Sequence, residues 1–172
     1  VEEGKLKFLY TNADSIRGKM NELQSRVNEG GYDVIGIVET WTNVDITDSE
    51  VALEGYNMFR ADRANGKVGG GVMLYVKEEL KTTMVEEVNA AGFQDTIWCL
   101  VETLKEKILI GLCYRSPNST VDNNEKLLKV LESAVNLKVA THVMIMGDFN
   151  YPTIDYEGGM VNAGEQTDAH RF

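Results

Sequence analysis

Short apolar runs that stop abruptly at polar residues constrain the fold of this chain most. Residues 33–38 and 143–146 are largely aliphatic, and runs of this length are typical of buried strands. Each follows a segment in which apolar residues recur at helical spacing, so the pattern predicts an α/β architecture. Asp148 and Asn150 follow the second run, where open α/β sheets place their ligands. The alternative interpretation of these two residues is a turn or helix cap after a core strand.

The same patterns divide most of the chain into strands, helices and turns. Asp14-Ser15 offers a helix N-cap, and Gly30-Gly31 ends that helix. Asn65-Gly66 predicts a hairpin within the turn-rich residues 62–71. The remaining predicted elements are strands at residues 5–10, 56–61, 72–76, 97–102 and 107–114, and an amphipathic helix at residues 123–139.

The pattern weakens toward the end of the chain. Residues 155–168 are glycine-rich and acidic without a clear period, and residues 166–172 resemble the first turn of a helix. An ordered domain rarely stops at such a point. We therefore expect residues 1–172 to be the N-terminal portion of a single domain.

Composition and net charge limit the classes of function that the chain could have. The chain of 172 residues has a formal net charge of −10, which argues against a broad nucleic-acid-binding face but not against a nuclease, whose metal site needs carboxylates. Cys99 and Cys113 lie in apolar runs and are expected to be buried free thiols. No stretch has transmembrane length and no signal peptide pattern opens the sequence, so we expect an intracellular protein that does not bind membranes.

Polar side chains follow several of the predicted strands. They are Asn12, Asp14, Glu39, Tyr114, Asn118, Asp148 and Asn150. If the strands lie side by side, these groups converge on one sheet edge, where carboxylates and amides would suit a hard cation such as Mg²⁺. Taken singly, Glu39 could be an exposed acid, Tyr114 a half-buried aromatic residue and Asp14 a helix cap.

Five short motifs carry a resemblance to a known family. They are Thr11-Asn12-Ala13-Asp14, Val38-Glu39-Thr40-Trp41, Gly69-Gly70-Gly71-Val72, Tyr114-Arg115-Ser116-Pro117-Asn118 and Gly147-Asp148-Phe149-Asn150. In this order they resemble the endonuclease/exonuclease/phosphatase family, and the Tyr-Arg-Ser-Pro-Asn loop is most similar to the endonuclease domains of non-LTR (LINE-type) retrotransposons. The resemblance covers the chain to about residue 156. It implies a DNase I-like α/β sandwich of two packed sheets flanked by helices.

The resemblance also implies a role for each motif residue. Glu39 would be the principal ligand of Mg²⁺, or of Mn²⁺, with support from Asn12 and Asp14. Asp148 would orient or deprotonate the attacking water, Asn150 would hold the scissile phosphate, and Tyr114 would donate to a phosphate oxygen. Asn118 and Arg115 would bind the nucleic acid.

One family signature is absent, namely a late Ser-Asp-His triplet. The two histidines are His142, which precedes a predicted buried strand, and His170, which we interpret as a surface residue. The resemblance therefore implies that the late strands are missing and that the second sheet is incomplete. We expect the chain alone to cleave little or nothing.

Three functions follow as expectations. The first is a Mg²⁺-dependent DNA-nicking endonuclease of a LINE-type retrotransposon, with DNA as its partner and a nuclear location implied by the family. The second is a phosphatase or phosphodiesterase of the same family that acts on a small phosphorylated substrate. The third is a non-catalytic interaction module that self-associates through the unfinished sheet.

Two neighbouring features receive plainer interpretations. Residues 69–71 are three glycines, but no Gly-Lys-Ser/Thr follows them and they precede a strand, so they predict a flexible turn rather than a phosphate loop. Three basic residues around the turn-rich segment, Arg60, Arg63 and Lys67, could touch a DNA backbone but are interpreted as solvated hairpin charges.

Overall fold

The computed structural model describes residues 5–63, 69–164 and 167–172. The hairpin predicted at Asn65-Gly66 lies outside the described residues. The strands are β1 (Phe8–Asn12), β2 (Val34–Val38), β3 (Tyr56–Ala61), β4 (Val72–Lys77), β5 (Lys81–Met84), β6 (Thr96–Glu102), β7 (Lys107–Tyr114), β8 (His142–Asp148), β9 (Ile154–Asp155) and β10 (Met160–Val161). The helices are α1 (Met20–Gly30), α2 (Val121–Asn136) and α3 (Asp168–Arg171), with 3₁₀ turns at Asp48–Glu50 and Glu86–Asn89.

Two four-stranded sheets form the body of the molecule. The first has the order β1-β2-β4-β3 and the second the order β5-β6-β7-β8, while β9 and β10 pair as a separate ribbon. The pairs β1–β2 and β7–β8 are parallel. Because parallel neighbours need a crossover, α1 joins the first pair and α2 the second, and each sheet contains one β-α-β unit.

The two sheets pack face to face and carry helices on their outer faces. Val38, Leu74 and Leu112 belong to the apolar layer between the sheets. Val27 of α1 packs on the outer face of the first sheet, and Leu127 of α2 packs on the outer face of the second. The architecture is therefore the predicted α/β sandwich of two packed sheets flanked by helices. No helix within the described ranges is long and apolar enough to cross a membrane.

The start of α1 differs from the sequence prediction. The helix begins at Met20 rather than after the Asp14-Ser15 cap, because Asp14, Ser15 and Gly18 have left-handed backbones, with φ values of 44°, 72° and 79°. The predicted end is confirmed, since Gly31 closes the helix in the left-handed conformation. The segment between β1 and α1 is thus a loop rather than helix.

The start of α2 is shifted by two residues. The helix begins at Val121 because Thr120 is its N-cap, and the Asn123 backbone N–H donates to Thr120 Oγ1 at 3.2 Å. The sequence also missed β5, which has the polar sequence Lys-Thr-Thr-Met and little burial. A short, polar strand of this kind has no hydrophobic pattern to reveal it.

The expectation that β8 is a buried strand is wrong. Val143 and Met144 keep 41% and 40% of their surface exposed. The reason is topological, because β8 pairs with β7 and lies at the end of the order of the second sheet. An apolar run therefore identified the strand correctly but not its position in the sheet.

Candidate active site

The candidate site lies at one end of the sandwich, in the gap between the two sheets. Glu39 directly follows β2 of the first sheet, while Tyr114 ends β7 and Asp148 ends β8 of the second. Tyr114 and Asp148 lie opposite each other in register, and the Tyr114 hydroxyl donates a hydrogen bond to Glu39 Oε1. The side chains converge as expected, but not on one sheet edge, because β2 and β8 belong to facing sheets.

The Glu39 carboxylate is held in place by three donors. Its Oε1 accepts the Tyr114 hydroxyl, and its Oε2 accepts the Trp41 indole N–H at 2.7 Å and the Gly70 backbone N–H at 2.9 Å. Burial alone would raise the pKa of Glu39, but these hydrogen bonds and the charge of Arg63 outweigh it and hold the pKa below its usual value. Glu39 is therefore ionised and fixed in orientation at physiological pH.

The glycines at residues 69–71 form a hydrogen-bonded backbone cradle for Glu39. Gly69, Gly70 and Gly71 have φ values of 90°, 69° and 80°, a run of left-handed residues that side chains with a Cβ rarely adopt. This backbone aims the Gly70 N–H at Glu39 and the Gly71 N–H at Asp95 Oδ1, the latter at 2.8 Å. The interpretation as a flexible turn is wrong, since two consecutive amides are bonded to carboxylates.

Asp95 and Arg63 are part of this site although the sequence reasoning did not single out Asp95. Asp95 Oδ2 accepts from Arg63 Nε at 2.8 Å and from Nη2 at 2.6 Å. The Arg63 guanidinium also lies 5.6 Å from the centre of the Tyr114 ring. Arg63 is thus not the solvated hairpin charge expected from the sequence. A lone aspartate before a strand gave no signal of this pairing.

Asp148 is brought beside Tyr114 by a close approach of β8 to β7. A Cβ on Gly147 would lie 2.0 Å from the carbonyl oxygen of Cys113, so only glycine allows this spacing. After the strand, Asn150 turns back with φ 50°, and its backbone N–H donates to Asp148 Oδ1 at 3.1 Å. The Asn150 side-chain Nδ2 donates to the Arg115 carbonyl at 2.8 Å. The Gly-Asp-Phe-Asn motif is therefore a structured corner.

Arg115 holds this corner from inside the protein. It is only 7% exposed, and its guanidinium donates to Asn124 Oδ1 at 2.9 Å and to the carbonyls of Phe149 and Asn150 at 3.2 and 3.0 Å. It also lies 3.9 Å from the centre of the Tyr151 ring. This geometry disagrees with the expected contact between Arg115 and nucleic acid, because the side chain is buried and its Nη1 donates to the loop that carries Asn150.

The other candidate residues lie on exposed segments near the site. Asn12 ends β1 opposite Val38, the residue before Glu39. Its Oδ1 accepts the Asp14 backbone N–H at 3.1 Å, and both side chains are exposed. Asn118 is exposed in the loop between β7 and α2. The structure thus brings Asn12 to the same rim as Glu39, while the ligand role of Asp14 and the nucleic-acid contact of Asn118 stay predictions.

Tyr10 is a further residue that the sequence reasoning missed. It lies on β1, two residues before Asn12, so both side chains leave the strand on the same side. Burial and the negative charge of Asp148 raise the pKa of Tyr10 above its usual value. The same two causes, together with the hydrogen bond to Glu39, raise the pKa of Tyr114. Both phenols are therefore neutral donors at physiological pH.

Oxygen atoms are the donors that a cation would meet at this rim. Glu39 Oε2 already accepts two hydrogen bonds and Oε1 accepts one, so Oε1 keeps an acceptor position free. Within the described ranges, no group of three or more His, Cys, Asp or Glu side chains could hold a metal ion. One carboxylate with amide oxygens and water suits Mg²⁺, which keeps several waters, better than a soft metal.

The two histidines lie away from these residues. His142 is at the start of β8, the opposite end from Asp148, and its Nδ1 is 3.5 Å from exposed Glu106. His170 is exposed on the short helix α3. The position of His170 agrees with its interpretation as a surface residue, and His142, which the sequence left as structural or exposed, is exposed.

Comparisons with known proteins identify the class and then the family. The fold is DNase I-like, a two-sheet sandwich that carries polar residues at the rim where the sheets face each other. Residues 9–159 match the Endonuclease/Exonuclease/phosphatase family, and the chain belongs to this family of nucleases and phosphatases. A comparison with curated protein sequences found no match.

Solved structures with this fold include several enzymes of that family. The endonuclease domain of TRAS1, a telomere-specific non-LTR retrotransposon, superposes with a TM-score of 0.63 at 12% identity over 85% of this chain and 59% of that one. The AP endonuclease LMAP from Leishmania major gives 0.69 at 19% identity over 88% and 57%. A variant of the 3′ phosphatase NExo from Neisseria, bound to a product DNA hairpin, gives 0.61 at 12% identity over 88% and 60%. The chain spans about three fifths of the length of these structures.

Proposed function

We propose that this chain carries the metal-binding half of a Mg²⁺-dependent DNA-nicking endonuclease of the non-LTR retrotransposon type. The observation that carries the proposal is the contact of Tyr114 with Glu39, beside Asp148, in a gap between two sheets. A fixed carboxylate can hold a metal ion, a second carboxylate can orient water and a neutral phenol can donate to developing charge, and all three actions assist phosphodiester hydrolysis. Membership of the family supports the reaction class, and the likeness to the TRAS1 domain supports the retrotransposon type.

Glu39, Asn12 and Asp14 would hold the metal in this proposal. Mg²⁺, or Mn²⁺ in its place, would neutralise charge on the phosphodiester. Glu39 would be the principal ligand because its pKa is lowered and its Oε1 keeps an acceptor position. The amide oxygen of Asn12 and the exposed carboxylate of Asp14 would add neutral and anionic oxygens at the same rim.

The remaining residues would act on water and phosphate. Asp148, whose Oδ1 is oriented by the Asn150 backbone N–H, would orient or deprotonate the attacking water. Tyr114 has one hydroxyl proton, which is bonded to Glu39 Oε1 in the structure. It would exchange that partner for a phosphate oxygen when substrate binds, and its raised pKa keeps the proton on the phenol. Asn150 has one side-chain N–H on the Arg115 carbonyl, and its other N–H would hold the scissile phosphate.

DNA is the proposed partner, and the contact with it would be confined to a small area. The net charge of −10 disfavours a broad DNA-binding face. Asn118 would touch the backbone from its exposed loop, whereas Arg115 would act indirectly by holding the loop of Asn150. The product DNA hairpin in the NExo structure supports DNA as the substrate class.

The test is nicking of supercoiled plasmid in Mg²⁺, by this chain and by the longest natural protein that contains it. We expect the longer protein to nick and the chain alone to be nearly inactive. Glu39→Gln and Asp148→Asn should abolish nicking, while the matched control Asp33→Asn should retain it, because Asp33 lies at the opposite end of β2. A longer protein that binds metal yet never cuts DNA would contradict the nuclease assignment.

The two alternative functions are separated by the same preparations. Release of phosphate from small phosphorylated compounds, without nicking, would instead favour a phosphatase. A stable oligomer in size-exclusion chromatography, without hydrolysis of either substrate, would favour an interaction module.

A further inference from the structure

We propose that the ion pair of Asp95 with Arg63 is a positioning device that sets the metal affinity of Glu39 without touching metal or substrate. The inference rests on the proposed function, because it concerns the same site. It assigns roles to two residues that contact the groups bonded to Glu39 and are not themselves predicted ligands.

Asp95 is a buried carboxylate whose acceptors are all directed at this site. Its side chain is 4% exposed. Its Oδ1 accepts the Gly71 N–H at 2.8 Å and its Oδ2 accepts two N–H groups of Arg63. Its backbone carbonyl accepts the Tyr114 N–H at 2.9 Å. One residue therefore bonds to the glycine cradle, to the guanidinium and to the strand that carries the phenol.

The Arg63 guanidinium contacts both of the groups that support the two oxygens of the Glu39 carboxylate. Its guanidinium packs against Gly70, since a Cβ built on that glycine would lie 2.2 Å from Arg63 Nε. It also lies over the Tyr114 ring. Gly70 and Tyr114 are the donors to Glu39 Oε2 and Oε1 respectively. The guanidinium thus contacts the supports of both carboxylate oxygens.

The arrangement contains strained backbone and a buried charge pair, neither of which is an efficient way to stabilise the fold, and we therefore assign it a function. Asp95 has a left-handed backbone with φ 53°, and Glu39 has one with φ 55°, and such strain in non-glycine residues concentrates at functional sites. A buried charge pair is also a weak way to gain stability compared with apolar packing. A fixed guanidinium plane against two supports, in contrast, is well suited to hold a ligand in one orientation.

The chain contains a matched control for this pair. Asp33 is also buried, with 5% of its side chain exposed, and it likewise accepts one backbone N–H, from Lys7 at 2.7 Å, and one cation, Lys77 at 2.8 Å. It lies just before β2, whereas Glu39 lies just after it. Asp33→Asn and Asp95→Asn therefore remove the same kind of interaction, the first at the start of β2 and the second directly before β6, beside the groups that support Glu39.

The experiment measures Mn²⁺ affinity of the 172-residue chain from the electron paramagnetic resonance signal of free Mn²⁺, alongside urea unfolding. We expect both Asn variants to lose stability, and Asp95→Asn alone to weaken Mn²⁺ binding, by about 10-fold as for other residues that orient a metal ligand. Arg63→Lys provides a second variant that keeps the charge but not the planar contact. It should lose less stability than Asp95→Asn, because the charge opposite Asp95 is kept, and still bind Mn²⁺ several-fold more weakly.

Glu39→Gln separates this inference from the proposed function. If Glu39→Gln abolishes Mn²⁺ binding while Asp95→Asn binds as tightly as Asp33→Asn, the positioning role is wrong and the metal site stands. If Asp95→Asn does not fold, parent-like Mn²⁺ affinity in Arg63→Lys overturns the inference by itself. If Glu39→Gln binds Mn²⁺ as the parent does, the metal site and the positioning role both fail.

Discussion

Replacing Gly70 with alanine tests whether the glycine cradle orients Glu39. Two effects follow from the structure. At φ 69° an alanine is strained, and its Cβ would lie 2.2 Å from Arg63 Nε, so the guanidinium must move away from its present position. That movement breaks bonds to Asp95, and the distorted backbone no longer aims the Gly70 N–H at Glu39.

The expected loss in the free energy of unfolding is the sum of these two effects. A left-handed alanine costs roughly 1–2 kcal/mol. Loss of one charge-assisted hydrogen bond adds about 1.5–3 kcal/mol, and we allow only one because the Arg63 side chain is 18% exposed and water can replace the other. Gly70→Ala should therefore lower the free energy of unfolding by about 2.5–5 kcal/mol and weaken Mn²⁺ binding by about 10-fold.

Gly31→Ala is the matched control. Gly31 has φ 62°, and a Cβ built there meets nothing within 4 Å, so only the backbone strain of about 1–2 kcal/mol applies. Urea unfolding gives the stabilities, and Mn²⁺ titration gives the affinities. The reasoning is refuted if Gly70→Ala and Gly31→Ala lose equal stability and bind Mn²⁺ equally well.

Three further predictions follow from the same structure. Gly147→Ala should lower the free energy of unfolding by about 2 kcal/mol or more, measured in urea, because its Cβ would meet the Cys113 carbonyl and disturb the ladder; a parent-like midpoint would contradict the close approach of β8 to β7. Burial raises the pKa values of Cys99 and Cys113 to about 12, so neither thiol should react with a thiol reagent at about pH 8 until the chain unfolds. Rapid labelling of the native protein would contradict this. Tyr114→Phe removes a hydrogen bond that lowers the pKa of Glu39, so that pKa should rise. Because Mn²⁺ binding is lost as the pH falls through the pKa of Glu39, the variant should lose Mn²⁺ at a higher pH than the parent, and an unchanged pH midpoint would refute this.

Much of the fold could be predicted because it depends on local pattern. The spacing of apolar residues located α1 and α2, and the glycines ended α1 at Gly31. Two errors have local causes that a pattern does not reveal. The left-handed residues Asp14 and Ser15 delay α1, and the polar strand β5 pairs with β6 without a hydrophobic signal.

The predicted site residues were found through motifs at strand ends, and the missed ones lie elsewhere. Asp95 precedes a strand and Arg63 lies in a turn-rich segment, so neither matched the search for polar groups after apolar runs. Their partnership joins residues 32 positions apart. Arg115 was assigned to the nucleic acid because it stands in a site motif, and only its burial indicated that it acts inside the loop.

The sequence by itself determined most of the strands, the two long helices, the family and the identity of Glu39, Tyr114 and Asp148 as candidates, because side-chain period and short motifs are properties of neighbouring residues. The tertiary structure alone decided that Glu39 and Asp148 reach Tyr114 from strands of two different sheets and that β8 is exposed. It also decided that three glycines and a buried ion pair fix the carboxylate. Such contacts depend on which faces of the sheets pack together. Residues far apart in the chain share no local sequence pattern from which that packing could be predicted.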